Sequence, residues 1–175
     1  MIRTIDQRTV NFFGFFQISV PSQWQCHMEE DGSYGCYEEN VESGTLWVRH
    51  FAWKFPGKMP KAQLYDFVQN SLMPKLNTMG IQDTLSQEVF DLPNGDFISE
   101  VLFHEKDPND GAELQSRRWH FVRPFLDRVV IISATLVLPN DVADKEIFLN
   151  LVDVMRNNIE AATILHTNIE FENIN

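Results

Sequence analysis

Apolar positions along the chain change period several times, and each change marks an element. Phe12 to Val20 is dense in aromatic and β-branched residues and reads as a strand or strand pair broken at Gly14. Pro21-Ser22 ends it, and Trp24 follows as an expected core anchor. Gln25 to Cys36 is strand-like at both ends around the turn signal Glu30-Asp31-Gly32-Ser33, and Leu46 to Trp53 reads as a further strand. The first third is thus expected to be a meander of three or four strands. After the breaker cluster Phe55-Pro56-Gly57-Lys58-Met59-Pro60, the period becomes helical: Leu64, Phe67, Val68, Leu72, Leu76 and Met79 share one face. Pro74 either kinks that helix or starts a second one, and Gly80 is a natural stop.

A second set of strands follows. Leu85 to Leu92 ends at Pro93-Asn94-Gly95, and Asp96 to Glu105 is expected to pair with Gln115 to Phe125 across the loop Lys106 to Glu113. Asp127 to Leu138 is nearly continuous in apolar residues, as suits a central strand buried on both faces. Ile147, Phe148, Leu151, Val152, Met155 and Ile159 then mark a helix, with Asn140 or Asp141 as its expected N-cap. Strand runs separated by single helices predict an α+β domain: an antiparallel β-sheet with helices on both faces. The whole chain, residues 1–175, reads as one domain with its core at about 12–162 and a polar tail at 163–175.

Some of these residues resemble a known family. Phe16-Gln17-Ile18-Ser19-Val20-Pro21-Ser22-Gln23-Trp24 looks like the opening strand and Ile/Val-Pro-x-x-Trp of Mog1/PsbP-like domains. Gly44-Thr45-Leu46-Trp47-Val48 looks like their second-hairpin strand. Arg118-Trp119-His120-Phe121, Val129 to Ala134 and the final helix look like their closing half. The resemblance implies an α/β/α sandwich around an antiparallel sheet. It also implies binding of other proteins rather than catalysis, since that superfamily includes a nuclear-transport GTPase regulator, a photosystem extrinsic subunit, and bacterial lipoprotein and effector-chaperone relatives.

Charge narrows the partners. With 25 acidic and 14 basic side chains the net charge is −11, which gives no general attraction for nucleic acid. The basic stretch Arg49 to Lys61, with Phe51, Trp53 and Phe55 interleaved, resembles a single-strand platform only locally. No apolar run is long enough to span a bilayer as a helix. The N-terminus lacks the basic and apolar regions of a secretory signal, so the cytoplasm is the expected compartment. Cys26 and Cys36 lie nearly symmetrically about the Glu30–Ser33 turn and could face each other as a disulfide; a cytoplasmic chain would keep them as reduced thiols.

Two candidate sites emerge. Between Glu29 and Glu42 there are six carboxylates (Glu29, Glu30, Asp31, Glu38, Glu39, Glu42) and no Lys or Arg. With Tyr34 and Tyr37 as anchors, this hairpin forms a candidate prong for a basic protein partner; the same charges would also simply keep a sheet edge soluble. The second candidate assumes that the strands around the Lys106–Glu113 loop pair with residue numbers summing to about 220. Glu100, His104, Arg118 and His120 then share a face as an acid/base or anion-binding patch, or as ordinary cross-strand ion pairs. There is no Gly-x-Ser-x-Gly, phosphate loop, His-Glu-x-x-His or Cys-x-x-Cys, and no two histidines stand at helical metal-ligand spacing. The expected protein is therefore non-catalytic, without cofactor or metal. A small-molecule binder or hydrolase built on the second patch is the alternative.

Overall fold

The computed structural model describes residues 4–39, 44–143 and 145–165. Two antiparallel sheets and three α-helices make an α+β fold. Strands β1 (Gln7–Phe12) and β2 (Phe16–Pro21) form a hairpin whose turn places Phe13 (φ 58°) and Gly14 (φ 76°) in the left-handed region. The expected break at Gly14 is this turn. The hairpin does not join the main sheet. Its third partner is β10 (Thr163–Ile164), which pairs with β2. The segment expected to begin a polar tail thus starts as a docked strand: Ile164 is buried, and its carbonyl accepts from Arg123 Nη1 at 3.5 Å.

The main sheet has seven strands in the order β3-β4-β5-β9-β8-β7-β6. These are β3 (Gln25–Met28), β4 (Tyr34–Tyr37), β5 (Thr45–Lys54), β6 (Asp83–Asp91), β7 (Phe97–Lys106), β8 (Glu113–Phe125) and β9 (Arg128–Pro139). β9, the continuous apolar run, occupies the middle. Alternate residues of the same strands feed two cores. Ile98, Trp119, Phe121, Val130 and Ile132 join Phe12, Phe16, Trp24 and the buried side of α3 (Glu146–Glu160). Phe97, Val122, Val129 and Ile131 join Leu64, Val68, Leu72, Met73 and Leu76. Those five come from α1 (Lys61–Phe67), a π-helical turn (Val68–Leu72) and α2 (Met73–Thr78). Pro74 lies in the first turn of α2, where its missing N–H costs nothing, and the wide turn before it absorbs the change of direction.

α3 begins after Lys145, later than the expected caps Asn140 or Asp141. Val142 N–H bonds back to Pro139 O, and Val142 and Ala143 are buried in the first core. Burial of these two apolar residues outside the helix overrides the capping pattern. Among the described residues, no helix is long and apolar enough to cross a membrane.

Candidate functional site

The second core covers only part of its face of the main sheet. Beyond α2, the strands β4, β5, β8 and β9 leave a groove of about 1540 Å³. Its floor follows from register. Trp47 on β5 faces Thr135 on β9 and Arg49 faces Ser133, while on β8 Arg118 faces Thr135 and His120 faces Ser133. Gly35 on β4 makes room for the floor. A Cβ there would stand 2.9 Å from the Trp47 ring and 3.2 Å from Glu29 Oε1, so the indole lies against bare backbone.

One wall is the hairpin between β3 and β4. Glu29, Glu30, Asp31, Tyr37 and Glu38 line the groove. Asp31 fixes the tip, accepting from Ser33 N–H at 2.9 Å and from the Ser33 hydroxyl, and from Arg49 Nη2 at 3.2 Å. Those serine bonds, then Arg49, hold its carboxyl below the usual range. Tyr34 points to the other face and packs edge-on against Phe12 and Phe13, so it anchors the hairpin and takes no part in the groove. Glu39 is exposed but off the groove lining, and Glu42 lies outside the described residues. Cys26 and Cys36, opposite each other on β3 and β4, are joined as a disulfide with Cα atoms 4.1 Å apart, which replaces the expected reduced thiols.

The opposite wall is the β7–β8 loop, with Asp107, Asp110 and Glu113, held by Asp107 N–H to Ala112 O and Gly111 N–H to Asp107 O. The sequence marked Lys106 to Glu113 only as a connecting loop. Among the described residues lining the groove, nine carboxylates stand against Arg49, Lys106 and Arg118.

That same loop sets the register, and it separates the second candidate patch. Lys106 pairs with Glu113 and Ser99 with His120, one residue away from the assumed pairing. A slip of one sends alternate side chains to opposite faces. Glu100 therefore faces Trp119 and His104 faces Gln115 on one side, while Arg118 and His120 lie on the other, on the groove floor. Glu100 is instead the centre of a buried latch. Its Oε1 accepts from Arg117 Nη1 and Arg156 Nη2, each at 2.7 Å. Its Oε2 accepts from Trp119 Nε1 at 2.8 Å and Arg156 Nε at 2.6 Å. Burial pushes this carboxyl up, but the Arg156, Trp119 and Arg117 bonds outweigh it and leave the group lowered.

On the groove side, His120 is fully buried with Nδ1 3.3 Å from Ser99 Oγ. Burial, then the Arg118 charge, lower it to about 3, so the imidazole is neutral at physiological pH. Arg118 donates from Nε to Thr135 Oγ1 at 3.2 Å and from Nη1 to Met79 O at 2.8 Å, and its guanidinium lies over the Phe103 ring. No group of three metal-ligating side chains occurs among the described residues.

This architecture has known counterparts. Yeast Ran-binding protein Mog1p superposes with a TM-score of 0.54 at 12% identity, over 93% of this chain and 97% of that one. LpqN, described as involved in cell envelope biogenesis of Mycobacterium tuberculosis, superposes at 0.53 and 14%, over 91% of each chain. The chain has the Mog1/PsbP-like fold. A Bacteroides thetaiotaomicron structure aligns over 90% of this chain at TM-score 0.49, and the chain spans only 48% of its length. No family model matches the sequence, and no curated protein matches it. Within the Mog1/PsbP-like fold, the resemblance carried by Phe16–Trp24 falls on β2 and the buried Trp24, whose carbonyl accepts from Arg8 Nη2 at 2.6 Å.

Proposed function

We propose that the protein is a non-catalytic binding module whose acidic groove receives a basic, extended segment of a partner protein. The observation that carries this reading is the pairing of two acidic walls, the β3–β4 hairpin and the β7–β8 loop, across an aromatic floor of Trp47 and Phe51. Exposed carboxylates in such an arrangement raise the encounter rate with a cationic chain and fix its register, while the rings supply apolar contact. That the yeast protein of this fold is a Ran-binding protein supports protein binding as the work of the fold here. Helices on both faces of the main sheet, forming an α/β/α sandwich, belong to the same reading, because they leave this groove as the open part of the sheet. The competing hydrolase loses its acid, since Glu100 is committed to Arg117 and Arg156 on the opposite face.

The test is a titration of tryptophan fluorescence, in which Trp47 is the ring lining the groove, with a lysine-rich peptide at low and high salt. Binding should weaken strongly between about 50 and 500 mM salt, where the screening length shrinks from over 10 Å to a few ångströms. Glu30→Lys and Glu38→Lys should each cost several-fold in affinity and together about tenfold, while Glu39→Lys, the same charge change as either one but beside the groove, should cost much less. Equal affinity in the double variant and the unaltered protein would remove the groove from the interface.

A further inference from the structure

We propose that the groove floor contains a carboxylate-binding subsite, formed by Arg118 and His120, which takes the C-terminal carboxylate of the basic segment. This rests on the groove being the binding face and goes beyond it by specifying which end of the partner enters.

Three observations carry the inference. First, Arg118 is a partly buried guanidinium that makes no ion pair among the described residues. Two of its five N–H groups are used, on Thr135 and Met79. The nearby Glu105 attracts it, yet that carboxylate accepts the Ser116 hydroxyl and stays beyond ion-pair distance. Second, His120 is fully buried on the floor and its Nε2 has no hydrogen-bond partner among the described residues. An orphaned polar atom of that kind costs on the order of a lost hydrogen bond, which a ligand in the groove would recover. The neutral ring lets the Ser99 hydroxyl donate to Nδ1, which leaves Nε2–H as a donor. Third, the two residues stand two apart on one face of β8, with Cα atoms about 6.6 Å apart along the strand, and the Arg118 charge acts on the His120 ring. Donors on neighbouring same-face side chains suit one carboxylate, with a bond of about 2.8 Å at each oxygen. The hydroxyls of Ser133 and Thr135, opposite them on β9, line the same floor.

An acidic groove with a cationic floor selects a zwitterionic ligand. A free anion would meet the field of the rim carboxylates, which is screened over about 8 Å at physiological salt. A segment whose lysines or arginines neutralise that rim brings its terminal carboxylate to the floor without the penalty. An internal basic loop would satisfy the walls and leave Arg118 and His120 unfilled.

The probes are two short lysine/leucine peptides, identical except that one ends in a free carboxylate and the other in an amide, together with benzoate alone. Affinity is measured by tryptophan fluorescence, and the His120 ring is followed by nitrogen-15 NMR. The acid peptide should bind about tenfold more tightly than the amide and shift the His120 Nε2 resonance, and Arg118→Gln should abolish both differences. The acid–amide comparison in the unaltered protein requires no variant. If the two peptides bind equally and salt-sensitively, the carboxylate subsite is overturned and the groove reading stands. If neither peptide binds but benzoate shifts His120 in an Arg118-dependent way, the subsite stands and the polypeptide reading falls. No response to any probe overturns both.

Discussion

Burying an imidazole beside an arginine settles its charge and makes the fold sensitive to acid. His120 is lowered from 6.5 to about 3 by burial and then by Arg118. Between those values the unfolded chain binds a proton that the native protein does not, so stability is full above pH 6.5 and falls as pH drops towards 3. The slope reaches about 1.4 kcal/mol per pH unit. Glu100 acts in the same direction: its carboxyl lies below the usual 4.5, so its contribution is lost only as pH falls below that value. In the window from pH 6.5 to 5, His120 therefore contributes ahead of Glu100. Urea unfolding across that window should show a shallower pH dependence in His120→Gln than in the unaltered protein, and identical slopes would mean that His120 titrates freely.

At the scale of elements, the Glu100 latch joins β7, β8 and α3. Arg156, half-buried beside the packed face of α3, reaches Glu100 with both Nε and Nη2, and the bidentate geometry fixes the helix against the sheet. Glu100→Gln would leave two guanidinium groups, Arg117 and Arg156, around a neutral amide. A loss of about 3 kcal/mol is expected, because one partner of a buried ion pair is removed. Thermal unfolding monitored by circular dichroism checks it; a change below about 0.5 kcal/mol would assign the latch to the surface class of ion pairs. This latch was not legible in the sequence. The elements were, because apolar period reports burial directly: the Val129–Ile132 run sits at mid-sheet, and the turn at Glu30–Ser33 falls where its Asp-Gly signal places it. Pairing register is not encoded in the strands that pair, since β7 and β8 are buried on both faces and apolar residues fit either alignment. It was decided by the hydrogen bonds of the Asp107–Ala112 loop. A single residue of error there joined Glu100 to His120, which the structure puts on opposite faces. The separation of β1 and β2 into their own sheet was equally hidden, because it depends on β10, at the far end of the described chain.

For the molecule as a whole, the acidic wall stands on the edge of the seven-stranded sheet, where among the described residues β3 has a single strand neighbour, β4. Four residues of pairing would hold such a hairpin weakly, and Glu29, Glu30, Asp31 and Glu38 along it repel one another. The Cys26–Cys36 disulfide closes a ten-residue separation across that edge and offsets both effects. Loop-closure entropy for a ring of this size gives about 2 to 3 kcal/mol, so Cys26→Ala with Cys36→Ala should lower stability by that amount while leaving the second core intact. The bond also bears on where the protein works. Disulfides persist in oxidising compartments and are rare in the cytosol, so whether this bond holds in the cell depends on where the protein works. Alkylation of the protein in its own host, followed by mass measurement, discriminates the two. A chain that resists alkylation until reduced belongs to an oxidising compartment, with the acidic wall locked in place. A chain alkylated at both thiols works in a reducing one, and its hairpin must then be ordered by Arg49, Tyr34 and the bound partner.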